Sequence, residues 1–238
     1  MKNKTFKHSG DMGDIIFSLP TVKALGGGDI YLDPEGGEKE PLVAWTRHTH
    51  TKLSAKGIAD LVPILEAQPY INEVKLWKGE AVDYNLDKFR QHIRFNNLSD
   101  SHLAAFSLEL TEKDEKWLDI PEKKIEGKKV IVSRSPRYHS NYVFWEQTVG
   151  PELCEQAIFV GYKKEYEYFC YTFPHHDIEF YEAENGYEVA QLISGCEMFI
   201  GNQGFPHALA EAMKKPLINE VWSRYPAAMF KREGAQYV

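Results

Sequence analysis

The sequence predicts an α/β protein made of two units, each organised around a parallel β-sheet. Three observations carry that prediction. Short apolar runs of strand length alternate with longer stretches of helical period along most of the chain. Small polar loops containing glycine stand where strand pattern gives way to helix pattern, at 8–14 and again at 201–205. The alternation weakens once, between residues 78 and 127, and there we place a junction. A chain of 238 residues has room for two small domains, assigned to 1–125 and 126–238.

The elements follow in order. Residues 4–8 form a short strand, and a helical pattern runs over 14–25 until three glycines at 26–28 stop it. "DIYLD" at 29–33 is the next strand, 56–67 a helix containing Pro63, and "INEVKLW" at 71–77 a third strand. Periodicity is weak in "NLDKFRQHIRF" and "DSHLAAFSLEL", and 115–129 is charged and broken by Pro121 and Gly127. Beyond it come strand "KVIVSR", a helix near "FWEQTV", strand "QAIFVG" and helix "KKEYEYFCYTF". Then follow strand "DIEFYEA", helix "YEVAQLISG", strand "EMFIG", helix "FPHALAEAM" and strand "PLINEV". Strands joined by helices in this way make right-handed crossovers, hence a parallel sheet with ligands at the carboxyl ends of its strands. Residues 222–238 are expected to add a last helix that packs back across the domain boundary.

Composition narrows the function classes. A formal net charge of −7 argues against a generally electropositive protein that holds nucleic acid by counterion release. Three cysteines without metal-ligand spacing fit buried thiols in a reducing compartment rather than a disulfide framework. The N-terminus lacks the apolar stretch of a signal peptide and no segment is long and apolar enough to span a bilayer, so a cytoplasmic location is expected. His48 and His50, and the cluster His175, His176, Asp177, lack the companion ligands of a metal site. No Asp-x-Asp occurs, which disfavours a sugar transferase that holds a divalent cation through that motif.

Two motifs carry chemistry. In "HSGDMGD" the residues Ser9, Gly10 and Gly13 allow close backbone approach beside Asp11 and Asp14 at a helix start, a place suited to an anion or a reacting hydroxyl. The bland alternative is that Asp14 is the helix N-cap. In "GNQGFPH" the residues Gly201 and Gly204 let a ligand near the backbone, and Asn202, Gln203 and His207 supply donors around a helix N-terminus. Here the alternative is an ordinary strand-to-helix turn. Neither motif has the spacing of a Walker loop or of a dinucleotide fingerprint.

Together "SGDMGDIIFSLPTVKAL" and "LISGCEMFIGNQGFPHALAEAMKKPLINEV" resemble the two ends of the heptosyltransferase-like glycosyltransferases, family nine of the GT-B superfamily. The resemblance extends more weakly to "FVGYKKEYEYF". It implies a GT-B-like α/β fold, two Rossmann-like domains with parallel sheets facing a central cleft, the first for the acceptor and the second for the donor. It places the catalytic carboxylate at Asp14, with Ser9, Gly10, Asp11 and Gly13 as the acceptor-side loop. It places the donor-loop glycine and histidine at Gly204 and His207, and puts Asn202 where the family has an acid. Arg134 or Arg137 would be its basic residue, and Glu165 a sugar or ribose contact.

The activity so implied is inverting, metal-independent transfer of a sugar from a nucleoside diphosphate sugar to a hydroxyl of a glycan or glycolipid. The nucleotide-sugar is a co-substrate, and no tightly bound cofactor is expected. Two alternatives stand beside it: a glycosyltransferase acting on nucleic acid, which the acidic balance disfavours, and a sugar-nucleotide-binding protein without turnover, motivated by Asn202.

Overall fold

The computed structural model describes residues 3–34, 53–93, 97–139, 142–225 and 227–238. His48 and His50 lie outside them. The chain divides into two compact units, Met1–Trp117 and Leu118–Val238. Residues 118–125, placed by sequence in the first domain, are fastened to the second unit. The Leu118 N–H donates to Ala212 O at 3.3 Å, Lys123 N–H to Gln191 O at 3.0 Å, and Ser194 Oγ to Ile120 O at 2.7 Å.

The first unit runs β1 (Thr5–His8), α1 (Met12–Ala24), β2 (Gly28–Leu32), α2 (Ala55–Glu66), β3 (Ile71–Leu76), β4 (Tyr84–Asn85) and α3 (Leu98–Ala104). A 3-10 turn over Leu86–His92 follows β4. The strands form one parallel sheet in the order β3-β2-β1-β4. Helix α1 is buried at every residue from Ile15 to Val22, so it is a core helix rather than an amphipathic surface one.

Pro20 stands inside α1 and has no N–H to give the carbonyl of Ile16. The indole Nε1–H of Trp117 donates to that carbonyl at 3.1 Å, and Ser99 Oγ donates to the next one, Phe17 O, at 2.8 Å. The helix therefore keeps its proline because two distant side chains complete its backbone bonding. Gly27 ends the connection at φ +73, where a Cβ would lie 2.1 Å from Tyr70 O. Only glycine fits that turn.

The second unit runs β5 (Val130–Ser133), α4 (Tyr142–Thr148), α5 (Pro151–Gln156), β6 (Ala157–Val160), α6 (Lys163–Thr172) and β7 (Glu179–Tyr181). It continues through α7 (Gly186–Gly195), β8 (Met198–Asn202), α8 (Phe205–Ala212), β9 (Leu217–Glu220) and β10 (Ala235–Tyr237). Its sheet is parallel throughout, in the order β10-β9-β8-β5-β6-β7. Val132, Trp145, Phe159, Phe169, Phe173 and Ile200 pack as one core cluster, each large apolar side chain contributing roughly 1.5–3 kcal/mol by burial.

One element was missed and one expectation is corrected here. The short helix α5 was not foreseen. The described residues of 222–238 contain no helix: β10 adds to the sheet edge at β9, with Ala235 opposite Leu217 and Tyr237 opposite Asn219. Arg232 anchors this return, with Nε 3.0 and 2.9 Å from the two carboxylate oxygens of buried Glu211 and Nη2 2.7 Å from Lys215 O. The open backbone edge of β9 and this ion pair outweigh the helical propensity of the segment.

Candidate functional site

Each sheet has a point where the chain order reverses about its first strand. In the first unit β2 lies on one side of β1 and β4 on the other; in the second, β6 and β8 flank β5. Loops leaving the carboxyl ends of such neighbours diverge and leave a crevice, the usual ligand position in open α/β sheets. Both sequence motifs fall there: 9–14 follows β1, and 203–204 follows β8.

In the first unit the crevice loops are tied together by Asp87, which follows β4. Its Oδ1 accepts the Ser9 N–H at 3.1 Å and the Ser9 hydroxyl at 2.8 Å, and Arg90 Nη1 at 2.5 Å. Its Oδ2 accepts from Lys7 Nζ at 3.0 Å, which also lies 2.8 Å from Asp33. Burial works to raise the Asp87 carboxyl, but the neighbouring His8 and Arg90 and the Ser9 hydrogen bond outweigh it and hold it well below the usual carboxylate range. Ser9 is fully buried in this network, so its role is to hold the loop.

The helix begins earlier than the sequence pattern indicates. Asp11 is the N-cap, with extended backbone at φ −64 and ψ 163, and Met12, Gly13 and Asp14 form the first turn. Asp14 is thus not the cap: its Oδ2 accepts the Asp11 N–H at 3.2 Å from the third helical position. It is half-buried, as are Asp11 and Gly13. Gly10 lies between His8 and Asp14. A Cβ there would be 2.5 Å from His8 Cε1 and 2.7 Å from Asp14 Cβ and Oδ2, so its small size serves the seating of those two side chains.

In the second unit most of the predicted donor residues face inward. Asn202 accepts the Ser135 N–H on Oδ1 at 3.0 Å and donates from Nδ2 to Ser135 O at 3.0 Å and Arg137 O at 2.5 Å. It latches the loop after β5 to the end of β8. Gln203 does the same for the loop after β9, taking the Trp222 N–H at 2.7 Å and giving to Tyr225 O at 2.9 Å. A Cβ at Gly201 would lie 2.5 Å from Ser133 O, so this glycine permits the close approach of β8 to β5.

His207 and Arg134 are buried. His207 has no exposed surface and sets Nε2 3.4 Å from the Tyr237 hydroxyl; burial, helped by the charge of Arg232, pushes its pKa down to about 3. Arg134 makes a forked pair with Glu220, Nε to Oε2 at 2.8 Å and Nη2 to Oε1 at 3.3 Å, and Glu220 also takes the Trp145 indole N–H at 2.9 Å. These four side chains, Asn202, Gln203, His207 and Arg134, hold the frame of the crevice.

Of the predicted donor residues, Gly204, Arg137 and Glu165 are the ones not buried. Gly204 is the N-cap of α8, and a Cβ there would meet nothing closer than 3.8 Å. Arg137 is exposed, with its guanidinium 5.2 Å from the Tyr138 ring. Glu165 accepts the Tyr162 N–H at 3.0 Å at the start of α6; burial raises its pKa, while Arg137 acts in the opposite sense. Tyr138 and Trp222, whose ring centroids are 5.7 Å apart, stand beside the latched loop and were not foreseen. Nor were Asp87 and Arg90, whose i, i+3 spacing after a two-residue strand was the available signal.

His176 is tied to the core, its Nε2–H donating to Trp145 O at 2.8 Å, and among the described residues no three His, Cys, Asp or Glu side chains converge as a metal site.

The α/β fold of two parallel sheets is similar to that of solved glycosyltransferases. The chain has the fold of glycosyltransferase family 9 and of the heptosyltransferases. The family 9 glycosyl transferase of Veillonella parvula DSM 2008 is similar with a TM-score of 0.65 at 11% identity, over 100% of this chain and 88% of that one. The E. coli heptosyltransferase WaaC, solved with ADP-2-deoxy-2-fluoro heptose, gives 0.57 at 8%, over 100% and 93%. The dodecameric iron-containing glycosyltransferase TibC of enterotoxigenic E. coli gives 0.59 at 13%, over 99% and 63%. No protein-family model matches the chain, and no curated protein matches it in sequence.

Proposed function

We propose that the protein is an inverting, metal-independent glycosyltransferase that moves a sugar from a nucleoside diphosphate sugar to a hydroxyl of a glycan or glycolipid. The observation that carries this reading is the seating of Asp14. A half-buried carboxylate stands on the first turn of α1 at the switch point of a parallel sheet, in a chain whose fold is that of family 9.

In the reaction Asp14 takes the proton of the acceptor hydroxyl. The acceptor oxygen forms a bond to the anomeric carbon on the face opposite the leaving group, and the electron pair of the broken C–O bond departs with the nucleoside diphosphate. The diphosphate is already a good leaving group, so the second unit has to stabilise charge rather than donate a proton. The N-terminus of α8 at Gly204 and the exposed guanidinium of Arg137 supply that stabilisation. Asp14 accepts the proton late, once bond formation has acidified the hydroxyl.

The alternative of binding without turnover was motivated by Asn202. That residue has both ends of its amide engaged by the loop backbone, which accounts for an amide there without loss of activity. Free thiols at Cys154, Cys170 and Cys196 accord with the cytoplasm as the site of action. Among the described residues no helix is long and apolar enough to cross a membrane.

The test is a panel of nucleotide-sugars screened by thermal shift, followed by transfer assays with those that bind. A ligand at one hundred times its dissociation constant adds about 2.7 kcal/mol. Stabilisation by a nucleotide-sugar together with transfer to a hydroxyl acceptor is expected. Binding without transfer across a broad acceptor set would favour the non-catalytic reading.

A further inference from the structure

We propose that His8 and His102, ninety-four residues apart and both fully buried, are positioning residues that set the Gly10 to Asp14 loop through a directed chain of hydrogen bonds. This rests on the reading of Asp14 as the base. Neither histidine is among the candidate site residues named from the sequence.

The direction of the chain follows from its ends. The Gly10 N–H donates to His8 Nδ1 at 2.8 Å, so that nitrogen presents a lone pair and the ring proton sits on Nε2. His8 Nε2 lies 3.0 Å from His102 Nε2, and with the proton on His8 the second ring must accept. The remaining nitrogen of His102, Nδ1, then carries its proton and donates to Leu98 O at 2.7 Å. Every contact is satisfied in one arrangement of protons. The opposite tautomer of His8 would set two N–H groups against each other at Gly10.

The surroundings enforce this arrangement. His8 Nδ1 is 3.7 Å from Asp87 Oδ1, beyond hydrogen-bond reach, so the closer Gly10 amide decides the tautomer. Asp87 is in turn engaged by Ser9, Lys7 and Arg90. The His102 ring is stacked on Phe89, centroids 4.1 Å apart at 15°, and burial holds its pKa well below the usual value, which keeps it neutral.

The link to Asp14 is steric. The space beside Gly10, between the His8 ring and the Asp14 side chain, has no room for one added carbon. Gly10 therefore transmits the position of the His8 ring to Asp14, whose Oδ2 is also held by Asp11 N–H. Removing the His102 acceptor breaks this bond of the buried His8 Nε2–H, and the ring responds by moving or by switching tautomer. Either change displaces Gly10.

The experiment uses the full chain. Long-range imidazole nitrogen–proton NMR of the unaltered protein should report His8 protonated on Nε2 and His102 on Nδ1. In His102→Phe, which keeps an aromatic ring against Phe89, the Gly10 amide resonance and the midpoint of the Asp14 carboxyl titration should both shift. The kcat for sugar transfer should fall by up to about 10²-fold with donor KM unchanged. His102→Gln, whose Oε1 accepts from His8 Nε2–H, should recover most of these values. A folded His102→Phe with unchanged Gly10 amide and Asp14 titration would overturn the proposal. So would the Nδ1–H tautomer of His8 in the unaltered protein, a measurement that needs no variant to fold. If the NMR couplings hold but no nucleotide-sugar is turned over, the functional reading falls and the positioning stands.

Discussion

The side chain of Asn202 and the backbone of Ser135 exchange two hydrogen bonds of 3.0 Å, the Ser135 N–H to Oδ1 and the Nδ2–H to Ser135 O. An amide can do this because it carries a donor and an acceptor on one planar group; a carboxylate carries only acceptors. Asn202→Asp would keep the first bond and set a charged oxygen against the carbonyls of Ser135 and Arg137. We expect a loss of about 1–3 kcal/mol in stability and weaker nucleoside diphosphate binding, read by melting and titration. Higher transfer activity in Asn202→Asp would instead make residue 202 a substrate contact.

Asp14→Asn separates base from helix-start residue. The asparagine Oδ1 can still accept the Asp11 N–H, so the helix start should change by less than about 1 kcal/mol. Losing the proton acceptor should lower kcat by ~10²–10⁴-fold while nucleotide-sugar binding persists. A well-folded variant with near-normal turnover would remove Asp14 from the mechanism.

The two arginines should behave oppositely. Arg134→Ala strips one partner from a fully buried pair and should cost about 3–5 kcal/mol in chemical denaturation. Arg137→Ala, at an exposed site, should leave the denaturation midpoint almost unmoved and raise donor KM. Equal effects on donor binding with no stability difference would refute this division.

His207 and His102 give the protein a definite response to acid. Both have folded pKa values below the ordinary one, His207 at about 3. Between the unfolded value near 6.5 and the folded value the unfolded chain binds more protons, so stability is intact above about pH 6.5 and falls as pH drops. Each such histidine contributes a slope of up to about 1.4 kcal/mol per pH unit. His207→Phe should flatten the slope from pH 6 to 4 in denaturation series, and an unchanged slope would show that His207 is protonated in the folded state.

Once a donor and acceptor are in hand, transfer should survive exhaustive EDTA treatment. Abolition by EDTA with specific rescue by Mn²⁺, Mg²⁺ or iron would reject metal-independent transfer.

By itself the sequence determined the order and type of most elements, though not β4, α5 or β10, because strand and helix leave local periods in apolar residues: every strand of the second unit from β5 to β9 stands where its apolar run does. It also determined where the crevice loops lie, since the glycines at 10 and 204 stand at strand-to-helix turns. What it left undecided is which side chains those loops present. His207, Arg134 and Gln203 are polar residues beside a loop whether they face a ligand or the interior. Only the partners brought from far along the chain, Tyr237, Glu220 and Tyr225, turn them inward. The same is true of His8, whose Nε2 meets the ring of His102, ninety-four positions away. The last segment shows the limit most plainly: 222–238 has helical propensity, but β10 forms because the edge of β9 and the carboxylate of Glu211 wait for it, and neither is visible until the chain is folded.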